Sequence, residues 1–174
     1  MNGSVYEREL ASILSGGDPG SVERYSRRVA QDTQQAVTGG LIQRPFYVVR
    51  AAGSLGADLV AVRDDYTLII EVKSSASRRL SFSEASYKRQ EQAERLVERC
   101  SRAGLFLTYA FRLKNAREDP WRLFSLGSVR PGRMALLKAL IPEVEQTRSG
   151  NYHLVWEHGV PLSVVIDYVN HGTV

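Results

Sequence analysis

The chain has 174 residues, 43% of them hydrophobic and 24% charged, with a formal net charge of +4 and one cysteine, Cys100. That is room for one ordinary α/β domain with a single sizeable core. No apolar run approaches the ~20 residues of a membrane-spanning helix, and a lone cysteine excludes an intrachain disulfide. The first residues lack the basic-then-apolar layout of a signal peptide, so a reducing, cytoplasmic setting is expected. Only four of the 23 cationic side chains are lysine. Arginine forks suit phosphate, although an arginine-rich genome would produce the same bias.

Taken in chain order, Tyr6, Leu10, Ile13 and Leu14 recur at helical spacing after Ser4, an N-cap residue type, and predict a helix over 4–14. Gly16, Gly17, Asp18, Pro19 and Gly20 break the chain. Residues 21–37 read as a second, polar helix with Arg24, Arg27 and Arg28 on one face, closed by Gly39 and Gly40. The period then changes to two, giving strands at 46–50, 58–63 and 68–73 with Asp64-Asp65 as a turn between the last two.

Over 83–103 the positions Ala93, Leu96, Val97 and Cys100 form one apolar stripe on an otherwise charged helix that Gly104 ends. A strand at 105–111, a charged loop at 112–119, a strand at 121–126 and a short helix at 134–140 follow. Residues 152–156 are strand-like, and 162–169 fit a strand or a helix. The order predicts a single α/β domain over 1–174 with a mixed central sheet flanked by helices, and a helical insertion at about 16–45.

The chemistry concentrates in Gly53-Ser54-Leu55-Gly56-Ala57-Asp58 and in Ile69-Ile70-Glu71-Val72-Lys73 on the next strand. Alternation puts Glu71 and Lys73 on one face and Leu68, Ile70 and Val72 on the other. Asp58 opens the neighbouring strand, where cross-strand neighbours lie ~5 Å apart, a span that one divalent cation bridges through two carboxylates. Hard oxygen ligands without a His or Cys cluster favour Mg²⁺, with Mn²⁺ as a substitute, over zinc. Lys73 can orient a water or offset charge growing on a phosphate. A lone Glu-x-Lys is usually just a solvated strand face. Here Ile69 shares that face and three aliphatics line the other, which marks a central strand where charge is costly to bury without a task.

This constellation resembles the PD-(D/E)xK nuclease superfamily, and the flanking blocks look like the archaeal Holliday-junction resolvases. Those blocks are Gly3-Ser4-Val5-Tyr6-Glu7-Arg8, Tyr47-Val48-Val49-Arg50-Ala51, Arg89-Gln90-Glu91-Gln92-Ala93-Glu94 and Thr147-Arg148-Ser149-Gly150-Asn151-Tyr152. The similarity covers about 3–15 and 46–152. It implies a restriction-endonuclease-like core, Asp58 and Glu71 as metal ligands, Lys73 as the catalytic lysine, Glu7 as a further essential acid and metal ligand, and Ser54 as a loop residue near the scissile phosphate. Ala57 stands where the superfamily usually has proline, and the 16–45 segment is longer than the resemblance leads one to expect. Periodicity alone does not choose Glu7 over Glu9 on the other flank of the helix; only the resemblance does.

The resemblance implies a structure-selective endonuclease that cuts four-way junctions with Mg²⁺ and works on chromosomal DNA. Arg8, Arg50, Arg78 and Arg79 are the candidate phosphate contacts beside the site, and Arg24, Arg27 and Arg28 could extend that surface. Symmetric cutting of two strands calls for a two-fold homodimer, with Leu105, Leu107, Trp121, Leu123 and Phe124 as interface candidates that are equally ordinary core. The alternatives are another nuclease of the superfamily acting on linear, nicked or flapped DNA, and a non-catalytic DNA-binding relative. His153, His158 and His171 lack zinc spacing and read as surface residues.

Overall fold

The structure, a computed structural model, describes residues 3–51, 56–82 and 87–172. Its helices are α1 (Gly3–Ser15), α2 (Pro19–Ser26), α3 (Gln31–Gln43), α4 (Tyr87–Arg102), α5 (Arg133–Leu140) and α6 (Leu162–His171). Its strands are β1 (Tyr47–Arg50), β2 (Leu59–Val62), β3 (Thr67–Ser75), β4 (Arg79–Ser81), β5 (Leu107–Leu113), β6 (Trp121–Leu126), β7 (Glu145–Gln146), β8 (Tyr152–Val155) and β9 (Val160–Pro161). The main sheet runs β1-β2-β3-β5-β6-β9, and β4-β8-β7 form a small second sheet. Only β3 and β5 pair in parallel within the main sheet, so the expected mixed sheet is present.

Alternation along the central strands separates two cores. On one face Leu68, Ile70, Val72 and Ala110 pack with Leu10, Ile13 and Leu14 of α1 and with buried residues of α2, α3 and α6. On the other, Leu107, Tyr109 and Phe111 pack under Ala93, Leu96 and Cys100 of α4, the stripe legible in the sequence, and against Leu154 of the small sheet. The β2–β3 hairpin turns at Asp64-Asp65, where the Arg63 amide donates to the Tyr66 carbonyl. Arg63 then ties the hairpin to the rest: it forks onto Asp65, donates to the Arg44 and Val169 carbonyls and to Asn170, and lies over the Phe46 ring.

Four expectations need correction, and one open alternative, at 162–169, is resolved. Residues 21–37 are not one helix. Ala30 is extended (φ −54°, ψ 139°), which lets Val22, Tyr25 and Val29 bury on one side of the bend and Val37 and Leu41 on the other. The Gln34 side chain donates to the Val29 carbonyl freed by the break. Gly39 and Gly40 sit inside α3 rather than beyond its end, because a Cβ at Gly40 would stand 2.2 Å from Asn170 Nδ2 on α6.

Residues 162–169 are helical, since Leu162, Val165, Ile166 and Val169 recur at i, i+3, i+4, i+7 and all are buried. Arg112 belongs to β5 and is buried, not part of a charged loop. Leu107, Trp121, Leu123 and Phe124 are buried core and offer no interface; Leu105 alone of the five is partly exposed.

Candidate active site

Asp58 directly precedes β2, and its backbone amide donates to the Ile70 carbonyl of β3. Gly56, with φ +92°, supplies a left-handed turn that a side-chain-bearing residue would resist. The turn delivers the Asp58 carboxylate against β3, where Oδ2 accepts a 2.7 Å bond from the Val72 amide. One carboxylate is thereby fixed by backbone alone, next to the strand that carries the second.

On β3, Glu71 and Lys73 project to the α4 side, opposite Ile70 and Val72, as alternation requires. Lys73 Nζ donates to Glu71 Oε1 at 2.7 Å. The other oxygen, Glu71 Oε2, is buried with no hydrogen-bond partner among the described residues. A hollow of about 20 Å³ borders Glu71, Lys73, Phe82 and Tyr109. Tyr109 lies opposite Glu71 in the β3–β5 register, and burial together with the Glu71 charge pushes its phenol far above its ordinary range.

Glu7 of α1 is half-buried, and its Oε2 accepts from Arg50 Nη2 at 3.2 Å. Its charge reaches both other acids. Burial raises the Asp58 carboxyl above its usual range against the pull of the Val72 amide and Lys73, and Glu7 adds to the rise. Burial likewise raises Glu71; Lys73 opposes this, while Asp58 and then Glu7 reinforce it. Glu9 faces elsewhere, held by Arg112 Nε at 3.0 and 2.9 Å while that guanidinium lies over the Tyr6 ring. The geometry thus separates two acids that periodicity left equivalent.

Asp58, Glu71, Lys73, Glu7 and Arg50 are therefore brought together; Arg8, Arg78 and Arg79 are not part of that cluster. Arg8 lies on the flank of α1 that faces α2. Arg78 pairs with Glu157 and lies over Trp156, and Arg79 is exposed in β4. Ser54 lies outside the described residues. Among the described residues no group of three or more His, Cys, Asp and Glu side chains is arranged to hold a metal ion. The donor set is instead two carboxylates of hard oxygen, one with an unpartnered buried oxygen, each disfavoured in its charged form by burial and by a neighbouring acid, Glu7 for Asp58 and both Asp58 and Glu7 for Glu71. A cation relieves that strain, so the residues fit a divalent metal.

Tyr109 and Arg112 were not legible as site neighbours from the sequence. Tyr109 reaches Glu71 only through parallel pairing, which leaves no local trace. An arginine closing the apolar run Leu107–Leu113 was a usable signal for a buried, partnered guanidinium.

An acid entering one strand and Glu-x-Lys on the next, with an acid on the first helix beside them, resemble the arrangement expected of the PD-(D/E)xK nucleases. A family model described as archaeal Holliday junction resolvase (Hjc) matches residues 26–173, and the chain belongs to that family. Members resolve Holliday junctions in DNA recombination and repair as metal-dependent crossover junction endodeoxyribonucleases, and that is this chain's function. The chain is also similar to a solved structure of the Archaeoglobus fulgidus Holliday junction resolvase Hjc. The two are 22% identical, the match covers 69% of this chain and 88% of that one, and the TM-score is 0.44. No curated protein matches. The family match begins after α1, so Glu7 is carried by its geometry. Two pairs of the sequence blocks meet in space: Arg50 bonds Glu7, and the Gln90 amide bonds the Gly150 carbonyl and the Tyr152 amide. No helix among the described residues is long and apolar enough to cross a membrane.

Proposed function

We propose that the chain nicks four-way DNA junctions in symmetric pairs, with Mg²⁺ or Mn²⁺ held by Asp58 and Glu71. The observation that carries this reading is the buried, unpartnered Glu71 Oε2 beside the backbone-fixed Asp58 carboxylate. A divalent ion bound there supplies the positive charge that offsets the negative charge developing on the scissile phosphate. Asp58 needs no reorientation, because the Val72 amide already aims it. Lys73 turns one proton toward Glu71 and keeps others for a phosphate oxygen or an attacking water.

Glu7 adds negative charge to the cation site, either as a ligand or from just outside it, and Arg50 holds its carboxylate. Ser54, four residues before Asp58 in the sequence, is proposed to lie near the scissile phosphate. Arg8, Arg50, Arg78 and Arg79 are proposed to contact backbone phosphates, which position DNA without reading its sequence. The whole chain over 1–174 is proposed to act as one nuclease domain, with 16–45 as its helical insertion.

Two cuts related by symmetry call for a two-fold dimer. The apolar surface that supports one is the β1–β2 part of the sheet beyond α4. There Tyr47, Val49 and Val62 are exposed on the face that also carries Val60 and Ile69. The test is cleavage of a synthetic four-way junction beside linear duplex and a Y-fork, with wild type, Glu71→Gln and Asp58→Asn. Paired nicks confined to the junction, slowed at least about a hundredfold in either variant while binding persists, are expected. Equal cutting of every substrate, or undiminished cutting by the variants, would sink the reading.

A further inference from the structure

The break between α2 and α3 shapes the other flank of α1. α2 starts on a firm cap, with Pro19 at its first turn and the Asp18 carboxylate accepting from the Gly20 amide and the Ser21 hydroxyl. It is anchored from beneath by Tyr25, whose hydroxyl donates 2.9 Å to the buried Asp119. So held, α2 stands off α1 and leaves a groove of about 500 Å³ between them.

Arg8 of α1, Arg24 and Arg28 of α2 and the loop after it, and Arg112 of β5 line that groove, and Glu9 is the one acid in its wall among the described residues. Arg112 Nε already donates to both Glu9 carboxylate oxygens, so the groove keeps a net positive charge, carried above all by Arg24 and Arg28. Among the described residues neither of these two has a carboxylate within salt-bridge distance, whereas Arg27 faces away and pairs with Glu23. The groove also lies at the correct end of the sheet. Arg112 pairs in register with Ser74, the residue after Lys73, so its inner wall lies one step beyond the catalytic strand segment, on the α1 face of the sheet opposite the Glu71 and Lys73 side chains.

We infer that this groove is a second track for DNA backbone, which holds the phosphates of one arm as it leaves the cutting site. An open, arginine-lined groove with its acid neutralised suits a run of phosphates, and forked guanidinium groups suit them better than ammonium groups. The basic contact then comes from α2 and the turn after it, within the segment at 16–45 between the first helix and the first strand. The inference rests on the reading of the chain as a junction nuclease, and it adds an arm contact to the cutting site itself.

The test is binding of short-armed and long-armed four-way junctions to the full chain in EDTA, across a salt series, with cleavage in Mg²⁺ scored separately. The variants are Arg24→Gln/Arg28→Gln and, as a control outside the groove, Arg27→Gln. Removing one phosphate-binding arginine should flatten the slope of log affinity against log salt by about one, so the double variant should lower it by about two. Its affinity for the long-armed junction should fall by roughly tenfold near physiological salt, with little change for short arms and none for Arg27→Gln. An unchanged slope in a double variant that melts like wild type would overturn the groove as a DNA track and leave an acidic protein segment as its occupant. An equal loss in Arg27→Gln would also overturn it, since general charge would then suffice. A wild type that shows the groove's salt signature but cuts no junction would defeat the nuclease reading and not this one.

Discussion

Glu71→Gln should make the metal-free protein more stable near neutral pH. The Glu71 side chain is 12% exposed and its Oε2 has no hydrogen-bond partner among the described residues. Burial, Asp58 and Glu7 push its carboxyl above the ordinary value of 4.5, with Lys73 opposing. Between that value and the raised one the folded chain keeps a proton that the unfolded chain has already released. Stability therefore falls as pH rises through the window and stays low above it, each unit of displacement costing about 1.4 kcal/mol.

The amide removes that cost. It gives up the charge of the 2.7 Å pair with Lys73, which is partly exposed and worth about 1 kcal/mol or less, and its Oε1 still accepts the hydrogen bond. The net gain near pH 7 should raise the melting temperature, by about 2–4 °C for each kcal/mol in a chain of this size. The assay is thermal unfolding in EDTA near pH 7 and again near pH 4, where both states are mostly protonated and the difference between the two proteins should largely close. Adding Mg²⁺ to about a hundredfold over its Kd should then stabilise wild type by about 2.7 kcal/mol and the variant little. A variant that melts below wild type in EDTA near pH 7, or that gains equally from Mg²⁺, would refute the account of Glu71 as a strained, cation-seeking ligand.

Two further predictions concern how the 16–45 segment is attached. Tyr25→Phe deletes a buried bond to Asp119, which keeps its bonds from the Ser163 and Trp121 amides; urea unfolding should show a loss of about 1.5 kcal/mol, and a loss under about 0.5 would mean that α2 is not held there. Gly40→Ala should destabilise by about 1–3 kcal/mol despite alanine's better helix propensity, because its Cβ would collide with Asn170, itself fixed by Arg63 and the Ile166 carbonyl. Equal or higher stability in a melt would show that α6 can yield.

Much of this was legible because the informative signals are local. The Asp64-Asp65 turn, the alternation at 68–73 and the α4 stripe each fix an element within a few residues, and the first two place Asp58 near Glu71 through one hairpin. What escaped depends on contacts distant in sequence. The end of α2 follows from where Val29 and Val37 must bury, and the helical state of 162–169 from the surface offered by α3 and α5. Tyr109 meets Glu71 only after α4 has carried the chain back to a parallel pairing. The choice of Glu7 over Glu9 has the same origin, since partners on β1 and β5 decide it.

That choice also explains how one short helix can serve two surfaces. Successive residues on an α-helix turn by about 100°, so Glu7, Arg8 and Glu9 cannot share a direction. Glu7 reaches Arg50 on β1 and the carboxylates at the mouth of β2 and on β3; Glu9 meets Arg112 on β5; Arg8 opens between α1 and α2. α1 is clamped to the sheet by Leu10, Ile13 and Leu14, all buried, so these directions are fixed relative to β3. A shift of α1 would move Glu7 away from the proposed cation site and Arg8 out of the groove together. Substitutions that loosen its packing should therefore weaken metal-dependent cutting and arm binding in parallel, whereas those in α2 should touch arm binding alone.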